Sequence, residues 1–182
     1  ISNDKRSILM YKIKRFFKRF YNLYRWLPII WNDQDWDTSY IWEIWMTKLK
    51  HQADYMAKRG HHVNNDRDAQ RMMTCVRLME RIQNEYYLSE PHTYHETKWN
   101  WDDYEKSDSE FFELKSETIS EHFKDYFKKY PLVHKKVKEG GRCGFIRSKK
   151  EGMAFAIAHE NHKRALKLLF KLLENHIQEW WD

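Results

Sequence analysis

Three prolines and five glycines are all that a chain of 182 residues offers for tight turns, while 33% of its residues are charged. Sandwiches and barrels need turn formers every few residues, so long helices joined by few connections are the economical reading. The apolar content is concentrated in rings: 16% of residues are Phe, Trp or Tyr, although the mean hydropathy is -0.95. Each ring can bury on the order of 150 to 250 Å², so a core can form with few aliphatic side chains. At this length the chain, 1–182, is most simply one domain.

Helical periodicity places the elements. A basic amphipathic helix falls within residues 1–27, with Leu9, Ile13, Phe16, Phe17, Phe20, Leu23 and Leu27 on one stripe, and Pro28 is expected to end it. A second helix spans about 38 to 59, capped by Asp37 and terminated by Gly60, with Trp42, Trp45, Leu49, Ala53 and Met56 at helical spacing. A third covers about 66 to 87. The segment "LSEPHTYHETKWNWDDYEKSDSE", residues 88–110, has no clean period and reads as a long, Trp-rich loop. A fourth helix is expected from about 110 to 130, stopping at Pro131, with a short one to Lys138, and a final long one from about 153 to 181. The expected fold is therefore all-α, a single-domain helical bundle of about five helices with a long Trp-rich connection.

The net charge of +6 is distributed in blocks. Residues 1–30 carry eight Lys or Arg against Asp4 alone, a net +7. Residues 88–121 carry ten acids against Lys98, Lys106 and Lys115, a net -7, and residues 122–150 return to +8 with ten Lys or Arg against Asp125 and Glu139. Such blocks can neutralise each other within one chain, pair between copies in a homo-oligomer, or meet an anionic partner.

Few motifs suggest catalysis. Asp33, Asp35 and Asp37 resemble the head of a calcium loop, but Thr38 and Ile44 stand where its glycine and its glutamate belong. Asp37 is better read as a helix cap, and a magnesium site on the trio would need a phosphate ligand to complete it. "HENH" spaces His159 and His162 three residues apart, not the four a zinc protease needs, and no Glu precedes a His at the spacing of a di-iron bundle. No nucleotide-binding glycine motif and no nucleophile elbow is present, and no metal or cofactor is expected. "GGRCG" followed by "FIRSKK" comes nearest to a phosphate loop, with Arg142, Arg147, Lys149 and Lys150 supplying charge. Two cysteines, Cys75 and Cys143, form no disulfide framework, and with no long apolar run the expectation is a cytoplasmic protein without a membrane span. The basic first helix suits a bundle, a membrane surface or a nucleic-acid backbone.

The elements "IWNDQDWDTSYIWEIWMTKLKHQADYM", "LMERIQNEYY" and "RALKLLFKLLENHIQEWWD" resemble a group of helical proteins encoded by tailed bacteriophages. Trp36, Asp37, Tyr40, Lys48 and Leu49 match its Trp-Asp-rich entry, and Trp180, Trp181 and Asp182 match its ending; the middle of the chain has no counterpart. The resemblance implies a phage protein made in a bacterial host cell and carries no assigned reaction. The phage context that the resemblance implies, more than any motif, leads to the expectation of a non-enzymatic protein that sequesters a nucleotide-type anion, such as a cyclic dinucleotide defence signal, and the aromatic and basic abundance without a catalytic motif suits that expectation. Trp31, Trp36, Tyr40, Lys48, Arg71, Arg77, Arg142 and Arg147 are the expected ligand contacts. The alternative is a nucleic-acid-binding or virion-associated accessory protein.

Overall fold

A computed structural model describes residues 2–31, 34, 36–59, 64–100, 115–140 and 150–180. The described chain is predominantly helical, in the order α1 (Ser2–Ile30), α2 (Ser39–Arg59), α3 (Asn65–Gln83), α4 (Tyr86–Ser89), a 3-10 turn (Glu90–Tyr94), β1 (His95–Asn100), β2 (Lys115–Glu121), α5 (Phe123–Lys129), α6 (Pro131–Glu139) and α7 (Lys150–His176). It divides into two compact units, Ile1–Met72 and Met73–Asp182.

In the first unit, α1 continues through Pro28. Proline removes one backbone donor and crowds the carbonyl four residues earlier. At Pro28 only three residues of helical backbone remain, and Trp31 N still bonds Leu27 O at 2.9 Å. Asp37 caps α2, its Oδ1 accepting from Ser39 N at 2.8 Å. On α2, Met46, Leu49, Ala53 and Met56 are buried at spacings of three and four, while Trp42 is half-buried and Trp45 exposed. The α1 and α2 helices touch through Trp26 and His51, whose rings meet edge-on at 6.0 Å.

The second unit departs from the expected pattern at three places. The third helix ends at Gln83, not 87, because Glu85 takes a left-handed conformation with φ 49°. That turn usually advertises itself by glycine, and here a glutamate occupies it. The expected loop 88–110 holds the end of α4, the 3-10 turn and β1; residues 101–110 lie outside the described residues. The expected helix from 110 contains β2, which pairs antiparallel with β1 from His95 opposite Glu121 to Asn100 opposite Lys115. Ser116, Thr118 and Ser120 alternate with charged and apolar residues, and Thr and Ser favour extended backbone when a partner strand supplies the hydrogen bonds. A bulge at Glu96 and Thr97 passes over Ile119. Seven α-helical segments and this hairpin among the described residues thus stand where about five helices alone are expected.

Pro131 both stops α5 and opens α6, where its fixed φ and missing N–H cost nothing. Phe123 and Tyr126 of α5, Val133 and Val137 of α6, and Ala154 and Ile157 of α7 form one buried cluster. Tyr94, Phe127, Tyr130 and Met153 pack round it. Burying a side chain such as Ile157 completely contributes roughly 1.5 to 3 kcal/mol. Ile157→Ala is expected to lower stability by about 2 to 5 kcal/mol, whereas Phe16→Ala, on an exposed face of α1, is expected to stay within about 0.5 kcal/mol of wild type. Urea unfolding followed by circular dichroism measures both.

Candidate functional site

Two polar constellations are built on the second unit. The first centres on Glu90, the opening residue of the 3-10 turn, only 7% exposed. Its Oε2 accepts a 2.7 Å hydrogen bond from Tyr130 Oη, and its Oε1 accepts from Lys129 Nζ. Lys129 also lies over the Tyr130 ring, 5.5 Å from its centroid. The Tyr126 ring packs against Tyr94 at 5.2 Å and Tyr130 at 5.3 Å. Its hydroxyl and the Asn161 amide nitrogen are both buried without a hydrogen-bond partner, although Asn161 lies close enough to favour the phenolate. Burial, then the Glu90 charge, pushes the Tyr126 phenol far above its ordinary value despite Asn161. For Tyr130 burial comes first and the hydrogen bond to Glu90 second; for Lys129 that hydrogen bond is the leading cause of an upward shift. With both carboxylate oxygens engaged, this cluster is a clasp between the 3-10 turn and the end of α5, where no group is left poised for proton transfer.

The second constellation is an open groove of about 480 Å³ between α6 and α7. Leu132, Val133 and Lys136 line one wall; Glu160, Lys163, Arg164 and Lys167 line the other. Residues 160, 163, 164 and 167 follow the three-and-four spacing that gathers side chains on one helix face. Lys136 Nζ bonds the Glu160 carboxylate, and that hydrogen bond, joined by the fields of Lys136, Lys163 and Lys167, holds Glu160 below the usual carboxylate range. Four cations against one acid leave three positive charges facing a concavity of the size small molecules occupy. Lysine and arginine converging on such a space suit phosphate oxygens.

The residues expected from the sequence as ligand contacts are distributed over both units. Trp31 and Trp36 are 75% and 80% exposed, Tyr40 is half-buried on α2, and Lys48 is exposed on the same helix. Arg71 donates from Nη1 to Asp68 Oδ1 at 2.9 Å. All five belong to the first unit; Arg77, exposed on α3, belongs to the second. Arg142 and Arg147 lie outside the described residues, as do Asp33 and Asp35. Among the described residues no three His, Cys, Asp or Glu side chains gather as a metal site. His159 is exposed, whereas His162 is half-buried with Nδ1 lacking a partner.

No protein-family model, no curated protein and no solved structure matches the chain. Its chemistry therefore has to be read from its own residues. The groove lysines and arginine went unnoticed in the sequence because α7 announces itself by its apolar stripe. The available signal was the run Lys163, Arg164, Lys167 and Lys171 along its polar flank.

Cys75 is fully buried, and burial pushes its thiol up to about 11, which removes it as a nucleophile at neutral pH. A Cys143→Ser variant is expected to show no titratable thiol with a chromogenic disulfide reagent until it is unfolded. For the Glu90 clasp the sign of the pH dependence follows from raised folded-state values. Tyr130 and Lys129 return on unfolding to ordinary values of 10.0 and 10.5. Their contribution is fully present below about pH 10 and is lost as pH rises through the folded-state values. The urea midpoint should fall as the pH is raised above about 10, and fall less in Glu90→Gln combined with Tyr130→Phe.

Proposed function

We propose that this chain is a non-enzymatic binding protein that sequesters a phosphate-bearing, nucleotide-type ligand, acting as a phage-encoded protein in the cytoplasm of an infected bacterium. The observation that carries the reading is the groove between α6 and α7, where Lys136, Lys163, Arg164 and Lys167 face one space. Among the described residues no aromatic side chain lines it, so recognition rests on the phosphates rather than on stacked bases. This moves the favoured site away from the exposed tryptophans and onto α7. A cyclic dinucleotide defence signal is a ligand of this chemistry, and the charge blocks of the chain are compatible with assembly into a homo-oligomer.

A second reading, nucleic-acid binding, draws on the extension of the cationic flank beyond the groove to Lys171, also exposed on α7. A polymer backbone would follow such a stripe, and its affinity would fall steeply with salt as counterions are released.

Calorimetric titration with cyclic dinucleotides, inorganic pyrophosphate and single-stranded oligonucleotides separates the two. The small phosphates are expected to bind and to be recovered chemically intact after heat denaturation. Lys163→Gln with Lys167→Gln should weaken them roughly tenfold or more, since each charge-assisted hydrogen bond is worth about 1.5 to 3 kcal/mol. Absence of binding by every small phosphate would overturn the proposal, and steeply salt-dependent oligonucleotide binding in its place would establish the second reading.

A further inference from the structure

The α1 helix presents its apolar face to water. Every described residue from Ile8 to Tyr24 is exposed, including Phe16, Phe17 and Phe20 at 64%, 65% and 63%. At about 100° per residue, Leu9, Ile13, Phe16, Phe17, Phe20 and Leu27 fall within one arc, and with their neighbours that arc spans roughly 160°. From Ile8 onward no charged residue enters it, and Lys12 and Lys14 stand at its two borders. The opposite arc carries Arg15, Lys18, Arg19 and Arg25, and no acid occurs between Lys5 and Ile30.

Among the residues of α1 from Ile8 onward, Arg25, Trp26 and Ile29 are half-buried, and they lie on that opposite arc. The contact of Trp26 with His51 is therefore made from the basic side of the helix, and the phenylalanines are left free. An ordinary packed helix does the reverse.

We propose that α1 is a membrane-surface anchor, lying in the headgroup region of an anionic lipid bilayer with its Phe and Leu face among the acyl chains. Such a surface satisfies both faces at once. The apolar arc leaves water, the border lysines reach up to lipid phosphates along their own methylene stems, and the remaining cations stay in the negative surface potential. A nucleic acid would take the cations and leave the phenylalanines in water. A second copy of α1 would cover the phenylalanines but bring lysine borders against lysine borders with no acid to pair them. At 29 residues α1 is long enough to span a bilayer, yet the six Lys and Arg from Lys12 to Arg25 forbid it, and no described helix is long and apolar enough to cross.

The test is flotation of the full chain with vesicles of phosphatidylcholine alone, and of equal parts phosphatidylcholine and phosphatidylglycerol. The protein is expected to float with the mixed vesicles and weakly or not at all with the neutral ones. Phe16→Ser with Phe20→Ser should weaken partition at least about tenfold while leaving the circular dichroism melt unchanged. Lys12→Gln with Lys14→Gln should reduce the preference for anionic lipid. Three results overturn the proposal: no flotation with either vesicle, flotation untouched by the phenylalanine changes, or a lipid-free dimer in light scattering that those same changes dissolve. The last would assign the face to a second copy.

Discussion

Ile157 and Ala154 of α7, pressed against Phe123 and Tyr126 of α5 and Val133 and Val137 of α6, set the position of nearly every polar group described in the second unit. The α7 stripe sets the small side chains Ala154, Ala158 and Ala165 among Ile157, Leu169 and Leu173, so neighbouring helices can approach closely at the alanines and bring their larger residues to the contact. The flank next to that stripe then has no choice of location. Lys163, Arg164 and Lys167 arrive beside Lys136 because α6 is seated on α7 through Val133 and Val137. The cationic groove is in this sense a by-product of apolar packing, and a substitution that unseats α6 would dismantle it without touching a charge.

The Glu90 clasp works under the opposite constraint. A carboxylate removed from water costs several kcal/mol unless both oxygens are satisfied, and Tyr130 and Lys129 satisfy them from about forty residues away in sequence. Its value lies less in net stability than in location: it holds the 3-10 turn against the end of α5, next to the rings of Tyr94 and Tyr126. Asn161 and Tyr126 occupy the same buried region with polar atoms that find no such partner, so the second unit carries both satisfied and unsatisfied polar groups inside an otherwise apolar core.

The two units treat apolar surface differently. Aromatic residues of α5 are enclosed, whereas those of α1 stand in water beside an unbroken series of cations. Both the groove and α1 combine an excess of positive charge with few acids, Glu160 in the one and Asp4 in the other, and both are proposed as surfaces for phosphate-bearing partners, one soluble and one lamellar. They lie in different units and rest on different residues, so each reading stands or falls alone.

Helix content, the approximate extents of α1, α2 and α7, and the cap at Asp37 were legible in the residues, because periodicity and capping are properties of neighbours in sequence. The hairpin was not. His95–Asn100 and Lys115–Glu121 have little apolar alternation, and each becomes a strand only because the other supplies its hydrogen bonds. Nor was the break at Glu85, where a left-handed turn is made without glycine. The expected contacts centred on Trp31 and Trp36 drew on residue type alone, and the basic groove escaped notice because its walls come from helices some thirty residues apart. By itself, then, the sequence determined where helices form and which of their faces are apolar or basic, since each helix turns at a rate independent of its surroundings. Only the tertiary structure decided which of those faces meet: it buried the stripe of α7, left that of α1 exposed, and set Lys136 opposite Arg164, because contact between distant segments depends on packing that no local pattern encodes.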